Sequence, residues 1–231
     1  FGVTVNGPFH RQNKDTNQDA WLGRCRAEHT FITVADGLGS KTHSAIGAKM
    51  ACLAVSDATR IWSDSNSSLS DIFRLIKILW EIKIAPHSPR DCATTCLFAL
   101  VRYGKDVIIA GLGDGLGVIR HPNGNMNYVI SRETEFSNLT TGLGLDHKIE
   151  DWNVRRFNEL PFGSAIMLAT DGIADDLLPE RVPDFIKFLI DEFGHKPPKD
   201  RYFALRKILF DWPTPNHQDD KTLAIMHSIS E

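Results

Sequence analysis

Residues 94–131 read TTCLFALVRYGKDVIIAGLGDGLGVIRHPNGNMNYVIS. Four apolar runs lie within them, Thr94–Tyr103, Asp106–Leu112, Gly115–Arg120 and Met126–Ser131, separated by short turns that carry Gly or Asn. Links this short join antiparallel neighbours, so the stretch predicts four consecutive strands. Upstream, residues 2–5 read as a first strand, and Gly7 to Asp19 as a polar stretch. Strands follow near Ala20–Cys25 and Thr30–Ala35. Ser40 is placed to cap a helix that runs to about Trp62, with Ile46, Met50, Leu53, Val55 and Ala58 on its apolar face. A polar break at 63–68 precedes a second helix marked by Ile72, Leu75, Ile76, Leu79 and Trp80. Downstream come strands at 149–157 and in the run ending at Asp171. Helices near 180–193 and 199–211 and a closing strand Thr222–Ile229 complete the chain. Helix pairs around antiparallel strands indicate an α+β layered architecture, with helices on both faces of a β-sandwich, and not a doubly wound parallel sheet.

The bulk numbers are those of an ordinary globular protein. The chain has 231 residues, 42% hydrophobic and 24% charged, enough for one large domain spanning 1–231. A net charge of −3 argues against a nucleic-acid binder. No apolar run is long enough to span a bilayer, and no signal-peptide pattern opens the chain at Phe1. The cysteines, Cys25, Cys52, Cys92 and Cys96, form neither a disulfide framework nor a zinc-type spacing. They read as small buried thiols, and the expected location is cytoplasmic.

Four acidic motifs stand far apart in the chain: Asp36-Gly37-Leu38-Gly39, Gly113-Asp114-Gly115, Thr170-Asp171-Gly172 and Asp219-Asp220-Lys221-Thr222. The first three follow apolar runs, each of which reads as a strand ending in a carboxylate and turning on a glycine. A single Asp-Gly is most often only a turn. If the strand ends converge, the carboxylates cannot all stay ionised without cations, and hard oxygen donors suit Mg2+ or Mn2+.

The order of motifs resembles the metal-dependent protein phosphatases of type 2C, most of all their compact bacterial branch, over nearly the whole chain. Asn17-Gln18-Asp19-Ala20, Gly47-Ala48 and Ala93-Thr94-Thr95 join the four acidic motifs in that likeness. The resemblance implies a four-layer α-β-β-α sandwich with a two-metal centre at one edge. Carried over motif by motif, Asp36 bridges two Mn2+ or Mg2+ ions and Gly37 offers its carbonyl to one of them. Asp171 and Asp219 bind the other ion, and Asp114 shares a third, weaker site with Asp171. Asp19 orients water from behind, and Asp220, where the family often has Asn, is a support. The implied activity is hydrolysis of phosphoserine or phosphothreonine by a water that two metals activate. The implied partners are a phosphorylated protein substrate and a cognate kinase, and the expected state is a monomer.

The chain departs from the family pattern at two points. Leu38 stands where many members carry a His regarded as a general acid, and His10 and His43 are the nearby candidates for that task. A packing or surface role is the alternative for His10, and a solvated helix-start role for His43. The phosphate anchor is open between Arg11, favoured by its two-donor chemistry, and Lys14, favoured by position. The segment 132–147, with Thr134, Asn138, Thr140 and Thr141, lies where the family places a variable flap, and His217 reads as loop-exposed. A pseudophosphatase, the same fold acting as a binding or regulatory module, is the alternative function. A phosphatase or phosphodiesterase of small molecules is a third.

Overall fold

The computed structural model describes residues 1–63, 67–130, 141–213 and 218–228. Among the described residues ten strands form two five-stranded antiparallel sheets. The first holds β1 (Gly2–Val5), β10 (Lys221–His227), β9 (Ala165–Ala169), β6 (Leu116–Arg120) and β7 (Met126–Ile130), in that order. The second holds β2 (Asp19–Cys25), β3 (His29–Asp36), β4 (Cys96–Arg102), β5 (Asp106–Leu112) and β8 (Asn153–Phe157). The long helices α2 (Ser44–Ser63) and α3 (Leu69–Ile84) cover the second sheet, and α5 (Val182–Phe193) and α6 (Pro198–Phe210) cover the first.

The strand sequences explain the layering. Successive side chains of a strand point to opposite faces, so a strand buried on both sides must be apolar at every position. In β4, Cys96, Phe98 and Leu100 pack against the helices while Leu97 and Ala99 enter the space between the sheets. In β9, Met167 faces α5 and α6, and Ile166 and Leu168 meet Ile32, Val34 and Ile109 across the sandwich. Three stacked cores result, helix on sheet, sheet on sheet and sheet on helix, which is the expected α-β-β-α sandwich.

Several boundaries differ from the sequence reading. The four strands of 94–131 are present, but β5 and β6 do not pair: the chain crosses from one sheet to the other at Gly113-Asp114-Gly115. The helix expected from Ser40 begins at Ser44. Backbone bonds hold the intervening residues in another arrangement, with Lys41 N donating to the Leu38 carbonyl and His43 N to that of Asp91. The polar stretch after Gly7 contains a short helix, α1 (Pro8–Asn13), opened by Pro8 at its first position. A second short helix, α4 (Asp171–Ala174), starts on a predicted site residue. Cys52, Cys92 and Cys96 are buried as expected, but Cys25 is exposed, near the edge of its sheet.

Candidate metal centre at the sandwich edge

Four strand ends meet at one edge of the sandwich. β2 begins at Asp19 and β3 ends at Asp36, and register makes these two residues direct cross-strand partners. Carboxylates placed opposite each other on neighbouring strands repel. From the other sheet, β9 delivers Asp171 as the first residue of α4, and the Asp219-Asp220 pair leads into β10 beside it. The Asp171 carboxyl acts directly on that of Asp36, and the charges of Asp19 and Asp219 also reach Asp36. Residues 183 positions apart along the chain (Asp36 and Asp219) thus share one small volume.

Neighbouring groups hold these acids in place. The Thr170 hydroxyl donates to Asp19 Oδ2 at 2.8 Å. Thr170 N donates to the Thr222 carbonyl at 3.0 Å, and Thr222 N donates to Thr170 Oγ1 at 3.2 Å, which fixes β9 to β10 at the level of the site. Asp36 N donates to Thr95 Oγ1 at 2.9 Å, and the Asp36 carbonyl accepts from Thr94 Oγ1 and Thr95 N, each at 2.8 Å. Gly37 lies against the start of α2, where a Cβ would stand 2.5 Å from the Ser44 carbonyl oxygen, so no larger residue fits without moving backbone.

Electrostatics set this edge apart. Burial pushes the Asp36 carboxyl well above the usual carboxylate range, and the charges of Asp19, Asp171 and Asp219 push it further. Asp19 is raised for the same first reason, burial, and then by the charge of Asp220, against the hydroxyls of Thr222 and Thr170. Both carboxyls resist ionising until positive charge arrives. The donors are oxygens, which suits hard divalent cations.

Of the other predicted site residues, Asp114 is exposed at the turn between the sheets. That turn reaches the same edge, since a Cβ on Gly113 would stand 2.8 Å from the Thr95 side chain. His10 is buried on α1, with Nδ1 2.9 Å from Asp220 Oδ1 and 3.7 Å from Asp219 Oδ1. The Arg11 guanidinium is turned to α6, donating to the Phe210 carbonyl at 3.2 Å and lying 4.1 Å from the Phe210 ring centroid. Lys14 is exposed and caps α1 in a left-handed conformation. His43 packs its ring 4.2 Å from that of His87. Thr134, Asn138, Thr140 and His217 lie outside the described residues.

Two features escaped the sequence reading. Asp220 is a hub that accepts Gly7 N at 2.8 Å and Gln18 N at 2.6 Å, so it ties the start of the chain to its last motif. Lys221 is fully buried, its ammonium donating to the Gly172 carbonyl and pairing with Asp176 at 3.3 Å. A lysine at the mouth of an apolar strand was the available signal for the second; nothing in the sequence pointed to the amide partners of Asp220.

The sequence profile of the protein phosphatase 2C family matches residues 6–209. No curated protein sequence matches. Among solved structures the chain is similar to the photosystem II phosphatase PBCP, at 15% identity and TM-score 0.70, covering 99% of this chain and 97% of that one. It is similar to the PPM Ser-Thr phosphatase MsPP from Mycobacterium smegmatis, solved with cacodylate, at 17% identity and TM-score 0.62, covering 99% and 97%. RsbX, solved in complex with magnesium, matches at 14% identity and TM-score 0.58 over 97% and 92%. At these identities the likeness is one of fold.

Proposed function

The chain belongs to the protein phosphatase 2C family, and on that premise we propose that it is a serine/threonine protein phosphatase dependent on Mn2+ or Mg2+. The observation that carries the proposal is the convergence of half-buried Asp36 and Asp171 with buried Asp19 and with Asp219 at one edge of the sandwich. A decayed site has no reason to keep such a costly arrangement of like charges. Asp36, the Gly37 carbonyl, Asp171 and Asp219 would hold two ions, and Asp114 a third and weaker one. When bound, divalent cations lower the pKa of water and neutralise charge building on a phosphoryl group. The protein's own part is positional. Asp19, held by Thr170, would orient water through hydrogen bonds. The rigid Thr94–Thr95 contacts keep Asp36 from relaxing away from its neighbours. Lys14, exposed at the end of α1, is favoured as the phosphate anchor because Arg11 is engaged at Phe210.

The substrate class is a phosphorylated protein, opposed by a cognate kinase, with the enzyme acting as a cytoplasmic monomer. Among the described residues no helix is long and apolar enough to cross a membrane. A second reading, a binding module of the same fold, is favoured by one observation: Leu38 supplies no proton where many relatives have His. Hydrolysis of a phosphothreonine peptide with chelator, Mg2+ and Mn2+ in parallel separates the two. Turnover only with metal supports the enzyme. Peptide binding without turnover in any metal supports the module.

A further inference from the structure

Phosphoryl transfer as outlined leaves His10 without a task, yet the fold holds it tightly. Phe9 N donates to the Gln218 carbonyl at 3.1 Å and Gly7 N to Asp220 Oδ1 at 2.8 Å. A Cβ on Gly7 would stand 2.0 Å from the Asp219 carbonyl oxygen, so the lead-in to α1 lies directly on the 218–220 backbone. This contact turns the imidazole, whose side chain is 7% exposed, toward Asp219 and Asp220. Nδ1 is 2.9 Å from Asp220 Oδ1 and 3.7 Å from Asp219 Oδ1, yet it makes no hydrogen bond among the described residues.

The three donor atoms all lie within 4.8 Å of one another. Two ligand atoms about 2.1–2.2 Å from one ion stand roughly 3.0 Å apart at 90° and roughly 3.7 Å at 120°. The 3.7 Å separation from Nδ1 matches the wider angle, and the 2.9 Å separation lies at the lower edge of that span. Asp220 Oδ1 accepts one amide and keeps a second lone pair for a cation.

We propose that His10 Nδ1 joins Asp219 and Asp220 in a nitrogen-containing ligand set for one divalent first-row transition cation, at one end of the carboxylate centre. The proposal rests on the reading that this centre binds divalent cations. Imidazole is a softer donor than carboxylate, so the set favours transition ions over Mg2+. It also gives His10 a ligand's role instead of the proton donor's.

The test uses Mn2+ alone as probe, added to the chelator-stripped protein, with pulsed electron paramagnetic resonance reading directly bound nitrogen. A 14N coupling is expected in the wild type. It should vanish in His10→Ala, along with at least about tenfold weaker Mn2+ binding and a smaller change for Mg2+. Bound Mn2+ without nitrogen coupling in the wild type overturns the proposal, whatever the variant does, and so does a coupling that survives His10→Ala. An active phosphatase with all-oxygen coordination would sink this assignment alone; a nitrogen signal without turnover would sink the phosphatase reading alone.

Discussion

The two ends of the β2-β3-β4-β5-β8 sheet each bury aspartate, and they solve the electrostatic problem in opposite ways. At one end Asp106, 2% exposed, is gripped by Arg102 and Arg156 at 2.6 Å each. Burial raises its pKa, but the two guanidiniums outweigh burial and hold the carboxyl below its usual range. At the other end Asp19 and Asp36 face each other with more carboxylates around them, and both are raised. One end carries its own counter-charge and is finished as folded. The other is built to receive charge from outside. A buried aspartate alone therefore says nothing of function; its surroundings do.

The sharpest break of this contrast comes from Asp36→Asn. It should lower metal-dependent turnover by about 10³-fold or more, by removing charge from the centre that acts on the transition state. The same change should raise the melting temperature of the metal-free protein at pH 8 by a few degrees, because it relieves like-charge repulsion. A melting curve that falls instead would show that the carboxylate is structural. Asp106→Ala should do the reverse. It leaves Arg102 buried without its acid and should cost about 3–5 kcal/mol of stability, read by urea unfolding, with Mn2+ binding unchanged.

The two ends should also answer pH with opposite sign. Asp19 and Asp36 have raised folded pKa values, so they favour the fold below the unfolded value of about 3.9. That contribution is lost as pH rises through the folded values, and ionisation then destabilises the metal-free protein. Asp106 has a lowered folded pKa, so its contribution is present above about 3.9 and is lost as pH falls through the folded value. Thermal melts of Asp36→Asn and wild type, with and without Mn2+, should therefore differ most at alkaline pH, where the ion restores what repulsion removes. Equal Mn2+ stabilisation at pH 5 and pH 8 would contradict this.

The smallest expected effect is at Thr170→Val. Losing the hydroxyl that donates to Asp19 Oδ2 and accepts from Thr222 N removes two bonds of about 1 kcal/mol each and pushes the Asp19 pKa further up. The pH midpoint of Mn2+ binding, followed by calorimetry, should shift upward with it.

Much of the architecture was legible because strands buried on both faces leave long apolar runs, as in β4, β5 and β9. The crossing between sheets at Gly113–Gly115 was not. A short glycine turn has the same local signature whether the next strand pairs with the last one or passes to another layer. Helix α1 was hidden because its six residues are mostly polar and bury only His10. Asp36, Asp114 and Asp171 could be singled out locally, since acid after an apolar strand is a pattern; Asp19 and Asp219 stand at the head of strands and were assigned a role only through the family resemblance. Their closeness depends on register, such as Asp19 opposite Asp36, and on the Thr170–Thr222 contact between β9 and β10, which no local pattern contains. The grip of Asp220 on Gly7 and Gln18 likewise joins residues more than 200 positions apart.

The most direct test of the central claim is calorimetric titration of Mn2+ into the chelator-stripped protein, in two buffers of different ionisation enthalpy. Saturable binding with net release of protons, abolished in Asp36→Asn, is the predicted result, because cations must displace the protons that the crowded carboxyls retain. No binding, or binding that Asp36→Asn leaves unchanged, would contradict the account.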